Sequence, residues 1–336
     1  MPDIAQGLSA HLRAKPVPLR SIPVIDFAPF LQGGEAGRRA VALAIGRACR
    51  DIGFFYLAGH GVAPDMVDRV FALSRAFFAL PLEAKQRLHV RHSPQQRGWF
   101  GVGDEGYTRR GDCKEGFDMA LDLGPDDPDV IAGTPFHGPN VYPAEPADFA
   151  PVMRAYHAAL VRLAGQLCRA FALALDIPET FFDDKIDKPI AMLRVLHYPP
   201  QQGPIDPDFI GIFEHADYGA VSILAQDQVG GLQIRNADGD WIAAPPIPGT
   251  FVCNIGEAMA RWTNELWPAT LHRVINNGGR DRYSAVLFFD PNYAAEIRCL
   301  PTCQGPGNPP RHAPITMGRH LTNRFDQTFK HRTGAA

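Results

Sequence analysis

Chemistry in this sequence concentrates between Gly211 and Asp290, a stretch that opens GIFEHADYGAVSILAQD and closes LHRVINNGGRDRYSAVLFFD. It carries His215, Asp217 and His272, and ten residues after the last of these come Arg282, Tyr283 and Ser284. Two imidazoles and one carboxylate grouped on one side of a divalent iron leave its other side open to further ligands. His215 and Asp217 are two apart at the entry to a β run. Residues i and i+2 of a strand leave on one face, so both can meet one ion. His272 lies on a later β run that a folded-back sheet can bring alongside. The triplet alone says little. With twelve histidines and 36 acidic residues in 336, about one His-x-Asp/Glu match arises by chance. A surface histidine pair beside a structural carboxylate accounts for it equally well.

Arg282, Ser284, Val286 and Phe288 alternate with Tyr283, Ala285, Leu287 and Phe289, so whichever face Arg282 takes, Ser284 and Phe288 share it. An arginine buried unpaired in so apolar a strand costs several kcal/mol, so it needs an anion. Its fork takes a carboxylate bidentately and a serine hydroxyl adds one donor. An ion pair with Asp281 or another neighbour would also serve. In LRVLHYPP, Arg194, Leu196 and Tyr198 share a face in the same way. If Tyr198 looks into a site, Arg194 does too; a structural tyrosine beside two prolines is the other reading. Glu105 and Tyr107, in a charged and aromatic segment at 100–118, are candidate substrate contacts from a lid, with Tyr218 and Phe288 as candidates for the pocket wall. Solvated loop charges are the plainer reading of that segment.

The elements that must position these residues follow from pattern. Residues 1–20 are polar and read as loose, and SIPVIDFAPF at 21–30 as a short β segment. Helices are expected over 35–50 and from 64 to about 80, where Val67, Val70, Phe71, Leu73, Phe77 and Phe78 make an apolar core face. GFFYLAGHGV between them is a compact apolar strand ending in a glycine-rich turn. Residues 90–145 show no sustained period and read as a long ordered loop or lid. The longest helix is expected over 149–175, where Val152, Tyr156, Leu160, Leu163, Leu167 and Phe171 step by three or four. From Ala191 the pattern switches to seven short β runs: AMLRVLHY, AVSILAQ, GLQIRN, DWIAA, TFVCNI, LHRVI and YSAVLFF. Turn residues separate them, which predicts a sandwich or barrel and not alternating βαβ units. A last helix is expected over 316–328.

Composition sets outer limits. Apolar residues make up 46% and charged residues 21%, ordinary for a globular enzyme. A net charge of −3 supplies no basic field for nucleic acid or an acidic membrane. No apolar run approaches the ~18 residues of a membrane span, and the first twenty residues lack the apolar centre of a signal peptide. Six cysteines without a C-x-x-C pair argue against a disulfide framework or a zinc knuckle. The expectation is a reduced, cytoplasmic protein, a monomer or weak homo-oligomer, acting on a small molecule without nucleic-acid or membrane partners.

The ordered set GHGV (59–62), HYPP (197–200), H-x-D (215–217), GGLQI (230–234), NIGE (254–257), HRV (272–274) and RYSAVLFF (282–289) closely resembles the isopenicillin N synthase-like 2-oxoglutarate/Fe(II) oxygenases. The resemblance spans about residues 21–330. It implies an α+β fold, a double-stranded β-helix (jelly-roll) core with supporting N-terminal and central helices. It also implies one catalytic unit over 1–336: an N-terminal α/β region at 21–125 like that family's, the core at 190–295 and a C-terminal tail at 300–336. In that family His215, Asp217 and His272 would bind Fe(II), Arg282 and Ser284 would hold the distal carboxylate of 2-oxoglutarate, and Tyr198, with Arg194, would assist there. The implied reaction consumes O2 and couples decarboxylation of 2-oxoglutarate to succinate with hydroxylation, desaturation or ring chemistry on another small molecule. LRVLHYPPQ, HADYG, QDQVGGLQI and HLTNRF look most like bacterial members described as ethylene- or succinate-forming. His-Ala-Asp stands where His-Thr-Asp is common, and NIGE where IGD is usual. An oxidase of the same fold that uses iron and O2 without 2-oxoglutarate, an ethylene-forming enzyme, and a non-catalytic metal-binding β-sandwich stay open as alternatives.

Overall fold

Why the chain folds around one strand is visible in β12 (Arg282–Asp290), whose two faces are made of different residues. Ala285, Leu287 and Phe289 belong to the large helix-backed core, whereas Val286 belongs to a second core between two sheets. The computed structural model describes residues 12–15, 22–106, 110–201 and 204–328. The reading of 1–20 as loose lies almost wholly outside the described residues.

The chain begins with β1 (Val24–Asp26), α1 (Ala28–Gln32), α2 (Glu35–Asp51), β2 (Phe54–Ala58), α3 (Pro64–Phe78) and α4 (Leu82–Gln86). Next come β3 (Gly98–Phe100), β4 (Glu115–Met119), α5 (Pro128–Ile131) and the long α6 (Phe149–Ala174). The core strands are β5 (Ile190–Tyr198), β6 (Ile212–His215), β7 (Val221–Gln226), β8 (Leu232–Arg235), β9 (Trp241–Ala243) and β10 (Phe251–Ile255). After α7 (Glu257–Trp262) follow β11 (His272–Val274) and β12, then β13 (Glu296–Ile297), β14 (Ile315–Thr316) and α8 (Met317–Thr328).

Among the described residues an eight-stranded sheet runs β1-β2-β10-β7-β12-β5-β4-β3, and a four-stranded sheet runs β6-β11-β8-β9. The fold is the jelly-roll expected. Helices α2, α3 and α6 cover the outer face of the large sheet. Tyr156, Leu160, Leu163, Leu167 and Phe171 of α6 are buried there with Ile45 of α2 and Phe77 of α3. The inner face packs Tyr56, Leu196, Tyr198 and Val286 against Leu232, Ile234 and Val274 of the small sheet. That alternation is what one strand between two cores requires.

Two expectations need correction. Residues 90–145 are not only loop: β3 and β4 extend the large sheet beyond β5. Their apolar period is broken because β4 buries charge. Glu115 accepts hydrogen bonds from Lys85 and the Trp99 indole, both at 2.8 Å, and Asp118 is engaged by Arg194. His215, too, does not enter the β run that starts at residue 221. It ends its own strand, β6, in the other sheet.

Candidate active site

The antiparallel pairing of β6 and β11 sets His215 opposite His272, with ring centres 4.3 Å apart. Asp217 lies two residues past β6, in the connection to β7, so the two ligands converge from a strand end and a turn and not from one strand face. Asp217 Oδ1 is 3.7 Å from His215 Nε2 and 3.6 Å from His272 Nε2. All three potential ligand atoms lie within 4.8 Å of one another, a spacing that can close on a cation held at about 2.0–2.2 Å from each.

The chain prepares each atom. His215 Nδ1 is 2.8 Å from the Phe213 carbonyl and His272 Nδ1 is 3.1 Å from the Thr270 carbonyl. A carbonyl only accepts, so the hydrogen sits on Nδ1 and Nε2 keeps its lone pair for an ion. Burial, with His272 alongside, pushes His215 down to about 4 and keeps it neutral. Asp217 is oriented through Oδ2, which accepts from Ser222 Oγ at 2.5 Å and Asn254 Nδ2 at 2.7 Å. Burial works to raise its carboxyl, but the two histidines and these hydrogen bonds outweigh that and hold it below the usual range. Two neutral nitrogens and a carboxylate fit divalent iron.

On β12, Arg282 is fully buried. Its Nε donates to the Gly230 carbonyl and its Nη2 to Gln226 Oε1 at 3.4 Å. Gly230 adopts φ +83°, a conformation open to glycine and rare for other residues, and so turns that carbonyl inward. Arg282 Nη1 and Ser284 Oγ are both buried without a partner. The alternative partner Asp281 instead meets His197 Nε2 at 2.7 Å. Tyr198 pairs directly across from Arg282, with the guanidinium 4.5 Å above its ring. Two idle donors on one strand face, one of them cationic, fit one end of a dicarboxylate such as 2-oxoglutarate.

Arg194 is placed differently from expectation. It sits opposite Val286, four pairs along from Arg282. Asp118 takes its Nε and Nη2, each at 2.7 Å, and Glu105 its Nη1 and Nη2, each at 3.0 Å. Lys114 joins Glu105 at 3.2 Å and Asp112 at 2.5 Å. This buried network, with no arm left for the co-substrate, forms one wall of a cavity of about 920 Å³, mouth included, that opens onto His215 and Asp217. Glu105, Tyr218 and Phe288 line that cavity, while Tyr107 lies outside the described residues. Its apolar walls include Phe136, Met192, Leu321 and Phe325. The last two belong to α8, which is tied to the wall by His320 Nε2, 3.0 Å from the Tyr218 carbonyl.

Sequence reasoning gave no role to Ser222, Asn254, Lys114 or Asp290. Asp290 was findable, because it continues the inner face Arg282, Ser284, Val286, Phe288 by one more step of two. Its Oδ1 is buried without a partner at the cavity wall. Burial pushes its carboxyl up to about 8.

The chain matches two family models: the non-haem dioxygenase in morphine synthesis N-terminal region over residues 22–145, and the 2OG-Fe(II) oxygenase superfamily over 189–291. It is 33% identical to a 2-oxoglutarate-Fe(II) type oxidoreductase of Emericella nidulans, covering 91% of this chain and 90% of that one. It is 32% identical to a homoarginine-6-hydroxylase of Arabidopsis thaliana, covering 92% and 89%. Among solved structures, a full-length Neurospora crassa protein in complex with alpha-KG and thymine is similar with a TM-score of 0.81 and 31% identity, over 90% of this chain and 96% of that one.

Proposed function

This chain belongs to the 2OG-Fe(II) oxygenase superfamily, and from that premise we propose how its residues divide the work and what kind of molecule it oxidises. The enzyme uses Fe(II) and 2-oxoglutarate, and the iron, when bound, supplies the activation of O2. His215, Asp217 and His272 hold the metal, and Ser222 and Asn254 aim Asp217 at it. Arg282 Nη1 and Ser284 Oγ bind the far carboxylate of 2-oxoglutarate over the Tyr198 ring, which fixes the orientation of the other end. Asp217 occupies a position that a halide would need, so the outcome is hydroxylation, desaturation or ring chemistry.

The cavity between Glu105, Tyr218 and Phe288 takes the prime substrate. Its apolar walls with a few convergent charged groups suit a small polar molecule such as an amino acid or a nucleobase. Homoarginine, named for one relative, and thymine, bound in one similar structure, head the panel to be tried. We read the protein as acting without nucleic acid, as a monomer or weak homo-oligomer. Its six buried, unpaired cysteines suit a reducing compartment such as the cytoplasm.

The observation that carries this reading is the pair of idle buried donors, Arg282 Nη1 and Ser284 Oγ. An anaerobic titration with Fe(II) and 2-oxoglutarate, followed by an O2 pulse across the panel, tests it. Wild type should develop a charge-transfer band and release succinate, and His272→Ala should do neither. A band absent from wild type, or unchanged in His272→Ala, would overturn the site assignment. Oxygen uptake without succinate would point to an oxidase, and ethylene in the headspace to the ethylene-forming reaction.

A further inference from the structure

The inner face of β12 ends in a carboxyl that nothing in the described chain answers. Asp290 is 5% exposed, and its Oδ1 is buried without a hydrogen-bond partner. The carboxyl fills the space over Gly219. A Cβ on that glycine would come 1.5 Å from Oδ1, so the carboxyl can reach this place only because residue 219 has no side chain. Asp290 and Gly219 both line the cavity that holds His215 and Asp217.

The other charged groups of that wall are matched within the chain. Arg194 is shared by Glu105 and Asp118, and Lys114 by Glu105 and Asp112. Asp217 has Ser222 and Asn254 on one oxygen and faces the metal position with the other. Outside the metal site, the charged groups that line the cavity are Glu105, Asp112 and Asp290 against Lys114 and Arg194, one carboxyl in excess. A buried acceptor left unmet is unfavourable, and Asp290 carries one at the lining of the cavity, where an arriving donor could answer it. What the wall lacks is a positive hydrogen-bond donor.

We propose that Asp290 is a specificity residue that anchors the prime substrate through a cationic nitrogen donor: an ammonium, amidinium or guanidinium group. The apolar part of such a molecule lies against Phe136, Phe288 and Phe325, and the salt-bridged Glu105–Arg194 wall closes the polar side. This rests on the reading above that the cavity beside His215 and Asp217 is the prime-substrate site. It adds which substrate group is recognised, and by which residue.

The test uses n-butylguanidinium as the probe and n-butylurea as its uncharged isostere. Binding is measured by calorimetry on the full chain, under anaerobic conditions with Fe(II) and 2-oxoglutarate and again without iron. Wild type should prefer the guanidinium probe by about tenfold or more, the range of a charge-assisted hydrogen bond. Asp290→Asn keeps the shape of the side chain but cannot ionise to meet a cation. It should abolish the preference while its thermal midpoint and its Fe(II)/2-oxoglutarate band stay as in wild type. The proposal is overturned if wild type binds the two probes equally, if it fails to bind the guanidinium probe, or if Asp290→Asn keeps the preference. Should Asp290→Asn fold poorly, Gly219→Ala, which displaces the carboxyl, must abolish the preference instead; a retained preference there also overturns it. Failure of the site reading is distinguishable, since it removes the charge-transfer band from wild type whichever probe binds.

Discussion

Two arginines project from the inner faces of adjacent strands, Arg282 on β12 and Arg194 on β5, and their surroundings are opposite. Arg194 makes four hydrogen bonds to two buried carboxylates. Arg282, with 0% of its surface exposed, meets one carbonyl and one side-chain amide and leaves Nη1 idle. A buried guanidinium without a counter-charge is strongly unfavourable, so the two must be compensated from different sources. Arg194 is neutralised by the chain and belongs to the fold. Arg282 is left for something that arrives, and belongs to the site. The same residue type is thus neutralised by the chain at one position and left with an idle donor at the other, and the partner list tells them apart where sequence position does not.

The largest effect that can break this contrast is on Arg194. Arg194→Met would strand the buried Asp118 and leave Glu105 to Lys114 alone, and breaking a buried pair in this way costs about 3–5 kcal/mol. Urea denaturation should show that loss without added ligands; a change below about 1 kcal/mol, the range of an exposed ion pair, would remove Arg194 from the fold. Arg282→Met should do the reverse. The chain loses little stability, because no carboxylate is orphaned, while 2-oxoglutarate loses contacts of roughly 1.5–3 kcal/mol each. Its affinity, read from the charge-transfer titration, should fall about 100-fold or more. Arg282→Lys restores the charge without the fork and should recover only part of it. If the two methionine variants lose equal stability, the distinction fails.

How far the sequence foretold each end also differs. Seven of the eight core strands, the three long helices and the C-terminal helix were legible, because they bury apolar residues at regular periods; β6, which carries His215, was not. The grouping of His215, Asp217 and His272, and the shared strand face of Arg282 and Ser284, were legible too, because these residues stand in a fixed order on β runs. The substrate end was not. β3 and β4 hide in a charged segment because Glu115 and Asp118 are neutralised by Lys85 and Arg194, residues 30 and 76 positions away, and no local period records such pairings. Arg194 was assigned to the co-substrate on the strength of sharing a strand face with Tyr198. The face was right, but the carboxylates that claim Arg194 come from other parts of the chain. The pairing of His215 with Asp217 through one strand likewise failed, because a turn can supply the second ligand as readily as a strand can.

A smaller change probes the co-substrate end alone. Ser284 Oγ has no partner in the chain, so Ser284→Ala should leave the denaturation midpoint within error. It removes one hydroxyl donor to the 2-oxoglutarate carboxylate, which should raise KM for 2-oxoglutarate about tenfold. The turnover number at saturating 2-oxoglutarate should hold. A fall in stability instead would show that the hydroxyl serves the fold.

The smallest effect lies on the other face of β5, one residue from Tyr198. His197 holds Glu115 Oε1 at 2.8 Å with Nδ1 and Asp281 Oδ1 at 2.7 Å with Nε2, and its ring stacks on Tyr283 at 4.8 Å. Carboxylates on both nitrogens require both to donate, which is the imidazolium. Burial works to lower its pKa, but the hydrogen bonds and charges of Glu115 and Asp281 outweigh that and raise it. In the unfolded chain a histidine titrates near 6.5. The stabilisation is therefore complete below that pH and is lost as pH rises through the higher folded value. Asp281 is half exposed, so solvent screening keeps the effect to about 1 kcal/mol. The urea midpoint of wild type should fall between about pH 6 and pH 9 by more than that of His197→Gln. The same pH change should leave the Arg194→Met deficit in place, because neither Arg194 nor the carboxylates it holds depend on His197. If His197→Gln keeps the full slope, the raised histidine is not its source, and the carboxylates of the Arg194 wall become the groups to examine.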